Sequence, residues 1–175
     1  MRDKEILLIT KGHPFQRDAF FAVFDTLPGV RWTHVEQPAA QVFFDPSYAS
    51  AYDAFVLYDM PGINFRSDGP PDFREPSAAL KRNLEKLLER GFGLVFLHHA
   101  IAGWPVWPEY AEIVGGRFLY LPGELRGQRR MDSGYHHAVS HQVDVVADHP
   151  VTKGLPPQFE ITDELYLYEV FDDSV

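Results

Sequence analysis

The chain has 175 residues, of which 45% are hydrophobic and 14% aromatic, a composition typical of a folded globular protein. The absence of cysteine excludes disulfides, thiolate metal ligands and a cysteine nucleophile. A formal net charge of −9, without a long Lys/Arg cluster, argues against a nucleic-acid partner. The apolar run near the N-terminus is too short for a signal or membrane-spanning segment, which predicts a soluble cytoplasmic protein with no membrane partner.

The first half of the chain alternates between predicted strands and helices. Apolar runs predict strands over residues 6–10, 30–35 and 54–58, with a helix between the first two. A longer helix is predicted over residues 76–90, because its leucines share one face and a proline lies near its start. The loop over residues 62–75 is rich in Pro, Gly and Asp and is the best candidate for a mobile lid.

A further apolar run, residues 93–97, ends directly on His98 and His99. Such a short bounded run predicts a strand that is buried on both faces, as in a parallel sheet. A helical region over 104–112 and a strand over 139–146 follow. The alternation predicts an α/β fold with a doubly wound, mostly parallel sheet, in a single domain over all 175 residues.

Polar side chains follow several of the predicted strands. His13 follows the first strand, Asp59 the third, and His98 and His99 the strand over 93–97. Because ligands of open α/β sheets bind outside the carboxyl ends of the strands, we expect these side chains to converge on one crevice. They could bind a divalent metal or carry out acid–base chemistry near neutral pH. Alternatively, each histidine merely caps a strand end or hydrogen-bonds a carbonyl.

A second group of histidines lies further along the chain. His137 and His141 are four residues apart, but the alternating valines around them indicate a strand, on which that spacing is about 13 Å. The two therefore cannot share one ion, and His141 is interpreted as structural. His136 and His137 precede the predicted strand and can approach a site, so that His98, His136 and His137 form a candidate set of metal ligands.

Two adjacent carboxylates, Asp163 and Glu164, precede an aromatic run near the end of the chain. Glu164 could act as a general base or orient a histidine. The alternative is a turn with solvated acids. The candidate catalytic residues are then His98, His99, Asp59 and Glu164.

Aromatic residues close to the two histidines suggest a binding surface. Trp104 and Trp107 follow His98, and aromatic faces suit the apolar face of a sugar ring, although aromatics in a helix more often belong to the core. The candidate substrate-binding residues are His13, Trp104, Trp107 and Tyr58. The sequence has no Gly-x-Ser-x-Gly elbow, phosphate-binding glycine loop or dinucleotide fingerprint, which disfavours a serine hydrolase, a nucleotide-binding ATPase and an NAD enzyme.

A family resemblance is carried by short segments that cover most of the chain in order. These are Tyr52-Asp53, Tyr58-Asp59, Gly93-Leu94-Val95-Phe96-Leu97-His98-His99-Ala100, Trp107-Pro108-Glu109-Tyr110, Val114-Gly115-Gly116-Arg117-Phe118, Asp148-His149-Pro150-Val151-Thr152-Lys153-Gly154-Leu155 and Asp163-Glu164-Leu165-Tyr166. They resemble the ThuA-like family, named for trehalose utilisation, within the class I glutamine amidotransferase-like superfamily.

The resemblance implies a flavodoxin-like three-layer α/β/α sandwich and a role in carbohydrate catabolism. It also places His98 at the strand-to-helix turn where amidotransferases carry their catalytic cysteine, and without cysteine no glutamine amidotransferase activity is expected. His149 either caps the turn before Pro150 or reaches the crevice. Relatives continue beyond the Asp-Glu-Leu-Tyr segment, so the chain is expected to lack final elements and to leave a sheet edge open unless a partner covers it.

Three functions remain open. The first is an enzyme, an isomerase or hydrolase acting on trehalose or a keto-sugar, in which His98 or His99 is the acid/base or a ligand of zinc, manganese or iron, assisted by Asp59 or Glu164. The second is a non-catalytic module that binds a carbohydrate or a partner. The third is a metal-dependent hydrolase of a non-sugar substrate. The aromatic content and the open edge are compatible with a homodimer, which no motif demonstrates.

Overall fold

The structure is a computed structural model that describes residues 2–173, and these residues form two compact units. The first unit comprises residues 2–118 and 170–173, and the second comprises Leu119–Glu169. That the 175 residues form a single domain stays a prediction.

The first unit contains a parallel sheet, four helices and two 3-10 turns. In chain order its elements are β1 (Lys4–Lys11), α1 (Arg17–Asp25), β2 (Val30–Glu36), a 3-10 turn (Ala39–Phe44), α2 (Pro46–Ala49), β3 (Ala54–Asp59), β4 (Ile63–Asn64), β5 (Asp72–Phe73), α3 (Ala78–Glu89), β6 (Gly93–Phe96), a second 3-10 turn (His98–Ala102), α4 (Pro108–Val114) and β7 (Gly116–Arg117). The strands predicted over 6–10, 30–35 and 54–58 are confirmed as β1, β2 and β3.

The parallel sheet has the strand order β2-β1-β3-β6. In register, Ile9 of β1 lies beside Val35 of β2 and Leu57 of β3, and Leu57 lies beside Phe96 of β6. The chain runs from β1 outward to β2 on one side, and β3 lies on the other side of β1. The carboxyl ends of β1 and β3 therefore flank the switch point at which open α/β sheets form their ligand crevice.

Helices cover both faces of this sheet because each central strand buries side chains on both faces. On one face Leu7 and Phe55 belong to the same apolar cluster as Leu84 of α3. On the other face Leu8 of β1 packs in a cluster with Phe24 of α1. The chain is thus a mixed α/β protein built on a four-stranded parallel sheet, with several small antiparallel sheets beside it.

Helix α3 begins and ends where the sequence predicts. The hydroxyl of Ser77 accepts a hydrogen bond from the Leu80 N–H at 3.1 Å, which caps the first turn. At the other end the Phe92 N–H donates to the Leu87 carbonyl at 2.9 Å, and Gly91 has a φ of +68°. Glycine adopts this left-handed conformation without strain, so the helix stops at Gly91 and leads into β6.

The expectation that β6 is buried on both faces is wrong. β6 pairs only with β3 among the described strands and lies at the edge of the sheet, and the Val95 side chain is 46% exposed. An apolar run of this length is typical of a central strand, but the same residues also suit an edge strand that has one covered side. The run alone therefore does not distinguish the two positions.

The loop predicted over residues 62–75 contains a small hairpin. β4 pairs with β5 in antiparallel fashion, with Ile63 beside Phe73 and Asn64 beside Asp72. The Arg74 N–H donates to the Gly62 carbonyl at 2.8 Å and closes the hairpin next to the end of β3.

The second unit consists of antiparallel hairpins. β8 (Gly123–Leu125) pairs with β9 (Gln128–Arg130), and the long β10 (Gly134–Asp144) pairs with β11 (Gln158–Leu167). A short final strand, β12 (Glu169–Val170), begins at the last residue of the second unit, and its Val170 belongs to the first unit.

One expectation about this unit, and one alternative left open by the sequence, are wrong. His136 and His137 do not precede a strand, because β10 begins at Gly134 and not at Val139. A register shift between His136 and Val139 interrupts the alternation, and this irregularity hides the first part of the strand from the sequence pattern. Asp163 and Glu164 lie within β11 and not in a turn.

Among the helices formed by residues 2–173, none combines the length and the apolar character that crossing a membrane requires.

Candidate functional site

Three histidines and a tyrosine meet at the carboxyl edge of the parallel sheet. The His99 ring lies at the centre, with its centroid 4.1 Å from that of His13, 4.5 Å from that of Tyr58 and 4.8 Å from that of His98. His99 is buried, His13 and Tyr58 are half-buried, and His98 is exposed. The ends of β1, β3 and β6 thus bring these four residues, hereafter the histidine cluster, into one place.

The backbone at the end of β6 turns sharply to present His98. The Leu97 N–H still donates to the Leu57 carbonyl at 2.8 Å, as in the sheet, but His98 then takes a φ of +30°. A residue with a Cβ rarely adopts a positive φ, and such strain occurs most often at functional sites. The turn directs the two adjacent histidines differently, one to the surface and one into the protein.

The turn after β1 brings His13 beside His99. A Cβ on Gly12 would lie 2.7 Å from the Met60 carbonyl oxygen, so only glycine lets the chain pass this close to the end of β3. The His13 Nδ1 donates to the Pro14 carbonyl at 2.7 Å, since a carbonyl can only accept. In the neutral ring this leaves Nε2 as the nitrogen able to accept a proton or to bind a metal.

Asp59 points to the opposite face of the sheet from Tyr58, as the alternation of a strand requires. Its carboxyl group is fully buried, and Oδ2 accepts a hydrogen bond from Gln37 Nε2 at 2.7 Å. Oδ1 has no hydrogen-bond partner among residues 2–173. Burial raises the pKa of Asp59 to about 7, against the lowering effect of the Gln37 hydrogen bond.

Trp104 and Trp107 are both buried, on the same side of the sheet as Asp59. The Trp104 N–H donates to the Pro61 carbonyl at 2.7 Å, and Trp104 has a φ of +44°. Both residues precede α4 and are not part of it. Trp107 is 1% exposed, and it therefore contributes to the core.

The loop that carries these tryptophans is held by a buried arginine that the sequence analysis missed. The Arg117 guanidinium donates to the carbonyls of Gly103, Trp104 and Trp107 at 3.3, 2.9 and 2.5 Å. Its side chain is 3% exposed. The only sequence signal was its place in the family-like segment after the Gly115-Gly116 break.

An open groove of about 450 Å³ lies beside the ends of β1, β2 and β3. Its volume falls within the range of small-molecule sites. Trp104 also lines it, together with the polar residues Lys11, Gln37, Gln41, Asn64, Arg74, Glu75 and Ser77. Sequence reasoning missed Gln37 and Gln41, although Gln37 directly follows β2 as the other candidates follow their strands.

The remaining predicted site residues belong to the second unit. His137 Nδ1 lies 3.0 Å from Glu164 Oε1, on the neighbouring strand, and His136 precedes it on β10. A carboxylate that accepts from Nδ1 leaves Nε2 able to bind a metal, an arrangement common at metal sites. The His141 Nδ1 donates to the Val139 carbonyl at 3.1 Å. His149 Nδ1 accepts from the Val151 N–H at 3.2 Å, so His149 caps the turn around Pro150.

Comparisons with known proteins found a solved structure of similar fold and a matching family model. The crystal structure of a ThuA-like protein from Parabacteroides merdae matches with a TM-score of 0.63 and 20% sequence identity, a likeness that concerns the fold alone. The match covers 94% of this chain but only 63% of that one, so this chain spans less than two thirds of the length of its structural relative. No curated protein matches. The family model for trehalose utilisation (ThuA) matches residues 26–175, and the chain therefore belongs to the ThuA family.

Proposed function

We propose that this protein acts on a carbohydrate, or on a carbonyl compound derived from one, at the carboxyl edge of its parallel sheet. The observation that carries this proposal is the histidine cluster, in which three imidazoles and a phenol meet at the ligand-binding edge of an α/β sheet. The description of the family as trehalose utilisation supports a carbohydrate as the substrate class. The same sheet is proposed as the core of a flavodoxin-like three-layer sandwich.

The chemistry proposed for the cluster is proton transfer. Isomerisation and hydrolysis of sugars both move protons to or from oxygen, and imidazole exchanges protons near neutral pH. His98 is exposed and can contact a substrate directly, while His99 lies behind it against Tyr58 and His13. In this proposal His98 is the acid/base, and His99 holds or relays the proton.

A divalent metal is the alternative source of catalytic power. Zinc, manganese or iron would polarise a carbonyl oxygen or activate a water. The proposed ligands are His98, His136 and His137, with Glu164 orienting His137 through the 3.0 Å contact to its Nδ1. The sequence also predicts that Asp59 assists catalysis, whereas its buried hydrogen bond to Gln37 suits a role in ligand binding.

A non-catalytic binding module is the second candidate. Its support is the burial of His99, which is only 3% exposed at the centre of the cluster. A general base must come within hydrogen-bond distance of the proton that it removes, and a buried ring does so less readily.

The test is turnover, with trehalose, glucose and fructose as probes and product formation followed by NMR. We expect His98→Ala to reduce turnover by about a hundredfold or more, the usual contribution of general acid–base catalysis. His141→Ala is the matched control, because His141 hydrogen-bonds only the backbone carbonyl of Val139. Turnover that is unchanged in His98→Ala would exclude His98 as the acid/base. Binding without turnover in the unmodified protein would favour the module.

Elemental analysis distinguishes metal-assisted catalysis from acid–base catalysis by the histidines alone. About one equivalent of a transition metal in the unmodified protein, lost in His98→Ala, would identify His98 as a ligand. Turnover by protein without metal would leave unassisted acid–base catalysis as the mechanism.

A further inference from the structure

The Asp59 carboxyl group presents a polar atom that the protein itself does not satisfy. Asp59 has no exposed surface, and its Oδ1 accepts no hydrogen bond from any group in residues 2–173. An unsatisfied buried acceptor destabilises the folded state, and a charged one does so more strongly. Groups of this kind persist in folded proteins chiefly where a ligand or an ordered solvent molecule meets them.

A small cavity lies in front of this carboxyl group. It offers about 10 Å³ to a water-sized sphere, which is the room that a single water or a single hydroxyl group requires. Apart from Gln37, its other walls are apolar or aromatic, and they include Leu57, Phe96, Trp107 and Tyr110. The size and lining suit one small neutral hydrogen-bond donor, and a carboxylate or a phosphate is too large for this space.

The cavity adjoins the open groove. Gln37 and Trp104 line both spaces, so they form the wall between them. Hydrogen bonds cross this wall in sequence, from Gln41 Nε2 to Gln37 Oε1 at 3.2 Å and from Gln37 Nε2 to Asp59 Oδ2 at 2.7 Å. A ligand in the groove that contacts Gln37 is therefore separated from the buried carboxyl group by that one side chain.

We propose that Asp59 Oδ1 accepts a hydrogen bond from one hydroxyl group of a polyol ligand held in the groove, with that hydroxyl entering between Gln37 and Trp104. This inference depends on the proposed function, in that the ligand is a carbohydrate. Asp59 is then a binding and specificity residue, distinct from the histidine cluster. It recognises a single hydroxyl by its size and by its ability to donate.

The pattern of affinities across a deoxy-sugar series tests the proposal. The probes are D-glucose and its 2-, 3-, 4- and 6-deoxy analogues, and binding is measured by calorimetry well above pH 7, where Asp59 with its pKa of about 7 is ionised. The proteins compared are the unmodified protein, Asp59→Leu and Asp59→Asn. A hydrogen bond to a charged group contributes about 1.5–3 kcal/mol, so one analogue should bind the unmodified protein roughly ten- to hundredfold more weakly than glucose. Asp59→Leu should bind glucose and that analogue equally.

Asp59→Asn serves as the second variant, because it keeps the shape of the side chain and removes only the charge. We expect it to retain a discrimination of only a few-fold, since a hydrogen bond between neutral groups is weaker. This variant decides the question if Asp59→Leu does not fold: discrimination as large as in the unmodified protein would overturn the proposal.

Two further results would also overturn it. If glucose and all its analogues bind the unmodified protein equally, carbohydrate binding stands but the cavity holds only a buried water. If one analogue binds weakly to Asp59→Leu as well, another residue recognises the hydroxyl. Failure of every sugar to bind would instead overturn the proposed function, and this inference with it.

Discussion

At the scale of single residues, Asp59 makes stability depend on pH in a direction opposite to that of most carboxylates. Its pKa is raised to about 7 by burial, whereas an aspartate in the unfolded chain has a pKa near 3.9. Between these values the folded state holds a proton that the unfolded chain has released. The contribution of Asp59 to stability is therefore fully present below about pH 4 and is lost as the pH rises to about 7.

Replacing Asp59 by asparagine should remove this dependence. At about 1.4 kcal/mol for each pH unit, the ionisation of Asp59 lowers the free energy of unfolding by about 4 kcal/mol between about pH 4 and about pH 7. In Asp59→Asn the free energy of unfolding should fall less over the same pH range, by a difference of that order of magnitude. Urea unfolding of both proteins at a series of pH values measures the difference. Parallel curves for the two proteins would show that the pKa of Asp59 is not raised.

Arg117 should be among the residues most sensitive to conservative substitution. Its planar guanidinium donates to three backbone carbonyls of the loop over residues 103–107, which a lysine ammonium cannot reach in the same fork. We expect Arg117→Lys to lower the free energy of unfolding by about 1–3 kcal/mol. Arg90→Lys, at the exposed end of α3, is the control and should change it by less than about 0.5 kcal/mol. Equal effects of the two substitutions would mean that the guanidinium geometry is unimportant.

At the scale of elements, two glycines with similar backbone conformations allow strain to be separated from packing. Gly62 has a φ of +80° and Gly29 a φ of +70°. A Cβ on Gly62 would lie 2.7 Å from Cε3 of Trp104 and 2.9 Å from the Arg74 carbonyl oxygen, whereas one on Gly29 would meet no described atom within 4 Å.

Both alanine substitutions incur the strain of a positive φ, on the order of 1 kcal/mol. Gly62→Ala should lower the free energy of unfolding by roughly a further 1–3 kcal/mol, the usual effect of overpacking, because it pushes Trp104 away from the hairpin of β4 and β5. Chemical denaturation of the two variants gives the comparison. If Gly29→Ala and Gly62→Ala are destabilised equally, the contact with Trp104 adds nothing to the effect of substituting Gly62.

Sequence reasoning succeeded for elements whose signals are local. Strand β1 and helix α3 were predicted because their apolar periodicity lies within the elements themselves and a proline marks the start of α3. The meeting of His13 with His98 and His99 followed from the rule that parallel strands end at one edge.

The features that sequence reasoning missed depend on contacts between distant segments. Strand β6, which contains Val95, has the apolar composition of a central strand, and only the strand order shows that it lies at an edge of the sheet. The hydrogen bond from Gln37 to Asp59 joins residues that are 22 positions apart, so no local sequence pattern predicts it. The shift between His136 and Val139 likewise breaks the alternation on which the prediction of β10 rested.

At the scale of the whole molecule, charge should govern association. The net charge is −9 at pH 7, and the sequence pI is about 5.3. The second unit exposes large apolar side chains, among them Val146, Val151 and Leu167. Near the pI the repulsion that keeps such surfaces apart disappears, so light scattering should reach its maximum near pH 5.3 and decline toward neutral pH. Scattering that is independent of pH would show that charge does not control association.

The placement of the tryptophans gives the two units different optical signatures. Trp32, Trp104 and Trp107 all lie in the first unit, whereas the second unit has tyrosines but no tryptophan. Tryptophan emission, excited where tyrosine does not absorb, therefore reports the first unit alone. Far-ultraviolet circular dichroism also includes the signal of the antiparallel hairpins of the second unit. Coincident denaturation curves from the two signals would identify one cooperative unfolding event, and separate curves would assign a stability to each unit.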